Sequence, residues 1–236
     1  MARALEQVLL PFPDRLKLYN ASNFFDRRAV PREDLPRLTE LAAPFAAVTV
    51  ESHANTIGPL TLELANLLRP QLEVAVGLET IHPVAIEHLN KRLELPRFDR
   101  AAEFLLDHDI GLRAFVLLGT PYVPTDAMIE WTVRTAEYAA ARGAARIAII
   151  PVRGGNGETE RLQREGHFAP PTLAQLERAL EQCLGLASAV VTADLWDADR
   201  LTACATCRAE RIARLERLNL TGRLETSPAV NCSVCA

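Results

Sequence analysis

The chain has 236 residues, 49% of them hydrophobic and 24% charged, with a formal net charge of -4. That length supports one domain, or one domain with a small appendage, and no apolar run approaches the length of a membrane span. The acidic balance argues against a chain that coats nucleic acid nonspecifically. The start, MARALEQVLLPFPDR, lacks the features of a signal peptide, so the cytoplasm is the expected compartment.

Short apolar runs at 16–19, 46–50, 72–78, 112–118 and 146–152 read as strands. They are rich in Val, Ile, Leu and Ala with little strict alternation, as expected of strands covered on both faces. Helices are expected between them, at 32–43, 83–90, 97–108 and 125–142. The third places Phe98, Ala101, Ala102, Leu105 and Leu106 on one face, and the fourth stops at Gly143. Repeated strand–helix units imply right-handed crossovers and a parallel sheet, open or closed as a barrel. The stretch RGGNG at 153–157 is loop by composition, and 166–171 is a second punctuated segment. A helix over 172–186, capped by Thr172, packs Leu173, Leu176, Ala179, Leu180 and Cys183. One more strand fits 190–195.

The C-terminal region differs in charge. From Arg200 onward six arginines meet three glutamates, a local +3 that leaves -7 for the rest of the total of -4. It also holds four of the five cysteines, as C-A-T-C (Cys204, Cys207) and C-S-V-C (Cys232, Cys235), with 24 residues between the pairs. Two such pairs suit tetrahedral zinc, because each C-x-x-C turn aims two sulfurs at one point; an iron–sulfur cluster uses the same four ligands. A helix over 208–218 is expected between them, with Ala209, Ile212, Leu215 and Leu218 recurring every third residue. Arg208, Arg211, Arg214 and Arg217 form a stripe beside them, read as a solvated face, with a grip on RNA phosphates as the alternative. Cys183, on an apolar helix face, reads as inert filling.

In parallel α/β sheets ligands gather at the carboxyl ends of strands. Polar residues follow each expected strand: Asn20, Ser22 and Asn23; Glu51, Ser52 and His53; Glu79 and Thr80; Gly119 and Thr120; Arg153 to Gly157. They read as hydrogen-bonding ligands for a substrate or cofactor. Glu51 and Glu79 can also be paired as acid and base in a metal-independent barrel enzyme.

Taken in order, KLYNASNFFDRRAVP (17–31), VTVESHANTIG (48–58), LEVAVGLETIHPVAIEHLNKRLEL (72–95), LRAFVLLGTP (112–121) and RIAIIPVRGGNG (146–157) resemble radical S-adenosylmethionine (SAM) proteins. The likeness is to the elongator- and methylthiotransferase-type branch, which includes the archaeosine-synthesis radical SAM subunit and uncharacterised bacterial relatives. DLWD (194–197), the cysteine pairs and RLERLNLTG (214–222) extend it to the end of the chain. The resemblance implies an α/β fold, an incomplete (β/α)6 partial TIM barrel (strands 2–6) over 1–165. A C-terminal extension with a four-cysteine metal knuckle would follow over 166–236.

The resemblance also implies SAM and a [4Fe–4S] cluster as cofactors and a nucleotide in tRNA as a substrate class, beside the zinc that the spacing of Cys204, Cys207, Cys232 and Cys235 suggests. The residues it implies toward SAM are Asn20, Ser22, Asn23, Glu51, Glu79 and Thr80, with Arg92 for the carboxylate and Arg153, Gly154, Gly155 and Asn156 through their backbone. The family's C-x-x-x-C-x-x-C loop has no counterpart, since no cysteine precedes Cys183. The expectation is a shortened, inactive form of a longer enzyme, with a genuine cluster-less relative as the alternative.

Overall fold

The structure is a computed structural model that describes residues 14–19, 23–89, 95–186 and 188–234. Six strands are present among them: β1 (Arg15–Leu18), β2 (Ala47–Ser52), β3 (Gln71–Glu79), β4 (Gly111–Leu118), β5 (Arg146–Pro151) and β6 (Val190–Ala193). They form one sheet in the order β1-β2-β3-β4-β5-β6, so each strand lies beside its predecessor in the chain. The pairs β1/β2, β2/β3 and β5/β6 are parallel. Unbroken sequential order among parallel strands is the topology of a (β/α) barrel wall; a doubly wound sheet would reverse direction at a switch point. The fold class expected from the sequence, a partial TIM-barrel α/β fold, is therefore the observed one, with the segment expected at 190–195 as its sixth strand.

The helices are α1 (Leu35–Ala42), α2 (Pro59–Leu67), α3 (Pro83–His88), α4 (Leu95–Asp107), α5 (Met128–Ala141), α6 (Glu158–Arg164), α7 (Leu173–Cys183) and α8 (Arg208–Thr221). Two of them, α2 and α6, go beyond the sequence-based expectation. In α2 the leucines at 60, 62 and 64 recur with the period of a strand, and only Thr61 and Leu64 are buried. In α6 just Thr159 and Leu162 are buried, so no apolar stripe announces it. Leu106, expected on the buried face of α4, is 45% exposed; that face is Phe98, Ala101, Ala102 and Leu105.

The chain divides into two compact units, Met1–Gly77 with Leu95–Arg113, and Leu78–Glu94 with Ala114–Ala236. In the first, alternation along the strands separates two chemistries. Val48, Val50, Leu72, Val74 and Val76 point one way and are almost wholly buried. Of the residues between them Ala75 is apolar, and Thr49 and Glu73 are polar and buried. Thr49 Oγ1 donates to Glu73 Oε1 at 2.9 Å, Arg113 Nε donates to the same oxygen at 2.9 Å, and Arg15 Nη1 reaches Thr49 at 3.0 Å. One sheet face is thus an apolar core and the other carries a buried ion-pair network.

In the second unit Ile147, Ile149, Leu173, Leu176, Leu180 and Leu218 are fully buried. Helix α7 starts as expected, with a capping box: Gln175 N–H donates to Thr172 Oγ1, and Thr172 N–H donates to Gln175 Oε1 at 2.8 Å. Gly119, just past β4, has φ 79°, and a Cβ there would stand 2.8 Å from Pro171, so backbone conformation and space both require glycine. Strand β6 lies at the sheet edge, where an unpaired backbone is a liability. Asn219 of α8 covers it: its side-chain amide accepts from Ala193 N–H and donates to Ala193 C=O, both at 2.8 Å.

Candidate functional site

The strand ends of the first unit are organised around Asn23, which is buried. Its Oδ1 accepts from Ser52 Oγ at 2.7 Å, from Thr56 Oγ1 at 3.0 Å and from Phe25 N–H at 3.3 Å. Glu51, half-buried at the end of β2, contributes its carbonyl to Phe24 N–H at 2.9 Å. Asn20 and Ser22 lie outside the described residues. Deeper along the same face, burial pushes Glu73 toward protonation, but Arg113 and Arg15 outweigh it and hold the carboxyl below its ordinary range. Burial raises the Tyr19 phenol, with Arg113 opposing it. This polar ladder of Arg15, Thr49, Glu73 and Arg113 was not singled out from sequence, and its only sequence signal is polar residues alternating with valines and leucines.

In the second unit, β3 ends on Glu79, whose φ of 64° is a left-handed conformation uncommon for a residue with a side chain. Strain of this kind costs about 1–3 kcal/mol and gathers at functional sites. Thr80 is buried, and its Oγ1 accepts from His82 N–H at 3.1 Å. His82 Nδ1 in turn accepts from Ala85 N–H at 3.2 Å, which caps α3. Burial lowers the pKa of that imidazole, whose ring meets Trp131 edge-on. Arg92 lies outside the described residues. After β4, Tyr122 (φ 66°) sits between two histidines, stacked on His88 at 4.4 Å with His167 at 5.1 Å. No ligand spacing connects these histidines in the sequence; the loops after β4 and α6 bring them together.

The RGGNG loop is tied to its own unit. Arg153 Nη1 donates to Asp194 Oδ2 at 3.1 Å and Nη2 donates to the Trp196 carbonyl, while Nε is buried without a hydrogen-bond partner. Gly155 and Gly157 N–H both donate to the Glu160 carboxylate, which these bonds hold below its ordinary pKa range. Asn156 Oδ1 accepts from Thr159 N–H and Oγ1, each at 2.9 Å. A ligand that used the N–H groups of Gly155 and Gly157 would first have to displace Glu160.

The cysteines form the most convergent cluster among the described residues. The sulfurs of Cys204, Cys207 and Cys232 all lie within 4.8 Å of one another. Cys204 is 3.7 Å from Cys207 and 3.8 Å from Cys232. Cys235 lies outside the described residues. Three thiols gathered on one point, two of them buried, can hold a thiophilic metal ion. Cys183 stands apart on α7, fully buried, with its thiol pushed up to about 12 by desolvation and, secondarily, by Glu137.

The arginine stripe of α8 is not a solvated face at its centre. Arg211 and Arg214 are buried, and so are Leu215 and Leu218, whereas Ala209 is exposed. A helix repeats every 3.6 residues, so the buried stripe runs 211, 214, 215, 218, and the every-third spacing read from sequence drifts off it. Both arginines pair with α7. Arg211 Nη2 meets Glu177 Oε2 at 2.5 Å, and Arg214 Nη2 meets Glu181 Oε1 at 2.7 Å. Arg214 also donates through Nε to the Glu225 carbonyl at 2.8 Å. Neither guanidinium is available to RNA phosphates, which removes the support for an RNA grip along this stripe.

No family model matches the chain. An uncharacterized protein of Methanocaldococcus jannaschii is 24% identical over 173 residues, 71% of this chain, and the chain spans about half (47%) of that relative. Among solved structures, Methanocaldococcus infernus Elp3 with an N-terminal deletion of residues 1–46 superposes with a TM-score of 0.66 at 12% identity. The match covers 94% of this chain and 57% of that one. Coproporphyrinogen III oxidase (HemN) from Escherichia coli, a radical SAM enzyme, gives a TM-score of 0.52 at 11% identity over 72% of this chain and 39% of its own. These likenesses are of fold: the chain has the fold of radical SAM proteins. No helix among the described residues is long and apolar enough to cross a membrane.

Proposed function

We propose that this chain is the barrel portion of a SAM-dependent radical protein and carries a structural zinc knuckle at its C-terminal end. The observation that carries the reading is the superposition on an archaeal Elp3 over 94% of the chain, together with polar, partly strained residues at the carboxyl ends of the strands. Toward SAM we assign Asn20, Ser22, Asn23 and Glu51 in one unit. In the other we assign Glu79, Thr80, Arg92, Arg153, Gly154, Gly155 and Asn156. Asn23 acts through the loop it holds, because its carbonyl oxygen is already engaged by Ser52, Thr56 and Phe25. Arg92 is the match for the methionyl carboxylate.

In radical SAM chemistry a [4Fe–4S] cluster supplies the electron that cleaves SAM. The residues present do not fit that cluster: no cysteine precedes Cys183, and the C-terminal sulfurs converge on one point instead of standing apart to serve separate irons. The chain spans about half of its relatives, and we assign hydrogen abstraction from a nucleotide or tRNA substrate to a longer form that carries the cluster loop. The chain of 236 residues is inactive alone, with a barrel piece that runs on through β6 (Val190–Ala193) and a C-terminal extension after it.

For the knuckle, a zinc–sulfur bond of about 2.3 Å places tetrahedral sulfurs about 3.8 Å apart. The two sulfur distances of 3.7 and 3.8 Å support one tetrahedral ion, with Cys235 as fourth ligand.

Anaerobic reconstitution with iron, sulfide and SAM tests the assignment. The chain alone should yield no 5′-deoxyadenosine, and an in-frame form bearing C-x-x-x-C-x-x-C should yield it. Glu51→Gln and Glu79→Gly should each weaken SAM binding in equilibrium dialysis with the fold intact by circular dichroism. SAM cleavage by the chain alone, or binding indifferent to both substitutions, overturns the reading.

A further inference from the structure

The buried charges between helices α7 and α8 do not balance. Arg211 and Arg214 are 4% and 1% exposed, and the carboxylate buried with them is Glu177, at 4%. Glu181, which pairs with Arg214, is half-buried at the edge of the group. Arg214 Nη1 is buried with no hydrogen-bond partner among the described residues, 3.7 Å from Glu177 Oε1. A buried cation in excess is costly unless an anion stands near it. The sulfur cluster is such an anion once it holds a metal. Cysteines ligate as thiolates, so four of them around a divalent ion leave about two negative charges, and three leave about one.

The helix geometry connects the two groups. Cys207 immediately precedes α8 and Arg211 stands four residues on, so both side chains lie along one helix face. The Cys207 sulfur is 3.7 Å from that of Cys204. Arg211 donates to Glu177 Oε2 through Nε at 3.1 Å and through Nη2 at 2.5 Å. A further side-chain hydrogen bond joins it to Cys207. These partners, Glu177 first, raise the guanidinium pKa against the desolvation of burial. Glu177 also reaches the other cysteine segment, since Ser227 Oγ donates to its Oε1 at 3.5 Å. The turn that Ser227 opens ends at Cys232, whose N–H donates to the Ala229 carbonyl at 3.2 Å. One carboxylate of α7 therefore meets both segments that deliver sulfur.

We infer that Arg211 is a positioning residue of the metal centre: its guanidinium offsets charge on the metal-bound Cys207 sulfur and, through Glu177, ties the centre to helix α7. The role rests on the zinc reading of the knuckle and gives that site a partner outside its cysteines. Such outer partners fix the orientation of metal ligands, and losing one typically costs about 10–100-fold in affinity. Zinc in the knuckle then steadies α7 as well as the loops that hold it.

Two measurements on the full chain test this: zinc affinity by competition with a chromophoric chelator, and the Co2+–thiolate charge-transfer band. Arg211→Met should weaken zinc binding by about ten-fold or more and move the band to longer wavelength, because the sulfur loses a donor. Arg211→Lys, which keeps the charge, should recover most of both. Arg214→Met controls for scaffold damage: it loosens the same helix pair and should leave affinity and band near wild type. Hydrogen exchange on the unaltered chain needs no variant, and zinc should slow it in α7 as well as in the cysteine segments. Equal losses in the two methionine variants, an Arg211→Met chain that matches wild type, or α7 exchange indifferent to zinc each refute the role. A wild-type chain that takes up no zinc refutes the knuckle itself, and the role falls with it.

Discussion

Replacing Arg214 with methionine keeps a long apolar stem and deletes a guanidinium that is 1% exposed. Three groups lose a partner. The Glu225 carbonyl loses its donor from Nε at 2.8 Å, which costs about 1–3 kcal/mol where water cannot substitute. Glu181, paired at 2.7 Å, is 31% exposed at its side chain and recovers hydration, so its loss is small. Glu177, at 3.7 Å, stays paired with Arg211. The expected destabilisation is therefore about 2–4 kcal/mol. Arg211→Met removes the close partner of Glu177, whose side chain is 6% exposed, and leaves it only the more distant Arg214 and Ser227. About 3–5 kcal/mol is expected there. Arg217→Met, at a side chain 51% exposed, should cost less than about 1 kcal/mol. Urea unfolding followed by circular dichroism, with zinc saturating, reads these as midpoint shifts of about 1–2 M for the two buried arginines and little for the third. If all three variants unfold at the wild-type midpoint, the buried network is not a structural element and the arginines are again candidates for a ligand.

Metal content gives a second check: the full chain should hold one zinc, and Co2+ substitution should give the intense visible bands of a thiolate-rich tetrahedral site. Cys232→Ser should lose both, and chelation should lower the melting temperature; more than one iron per chain with a cluster absorption spectrum would contradict the assignment. Glu73 sets an acid limb. Its folded pKa is lowered, so its stabilisation is full above the ordinary value of 4.5 and is lost as pH falls through the folded value. Glu73→Gln should flatten stability against pH below about 4.5, and an unchanged slope counts against the Arg113–Glu73 pairing. Cys183 should resist alkylation in the native metal-bound chain at pH 8 and react only on unfolding, since its thiol is pushed up to about 12; rapid native labelling there would mean that α7 opens.

Much of this protein is legible where the chain repeats itself. The valine- and leucine-rich runs became strands, because burial on a sheet needs little beyond residue type. Thr172 became an N-cap because its partner Gln175 is three residues away. Cys204 and Cys207 came together because their C-x-x-C spacing is short, and Cys232 joins them from 25 residues further along the chain. Two of the failures are local in cause and one is not. Helix α2 mixes two periods, and α6 buries only two residues. Arginine reads as surface on any hydropathy scale, so Arg211 and Arg214 read as exposed. Their burial depends on Glu177 and Glu181, more than thirty residues earlier, arriving on the facing helix.

Residue chemistry and short-range spacing alone therefore determined the alternating strands and helices, the cysteine pairing of the C-terminal end and the polar strand ends. Tertiary structure decided which polar groups are already spent. Asn23, Gly155, Gly157 and Asn156 satisfy internal partners, and Arg211 and Arg214 are spent on Glu177 and Glu181. The reason is physical: a donor's availability depends on whether folding brings an acceptor within about 3 Å, and that acceptor can come from anywhere in the chain.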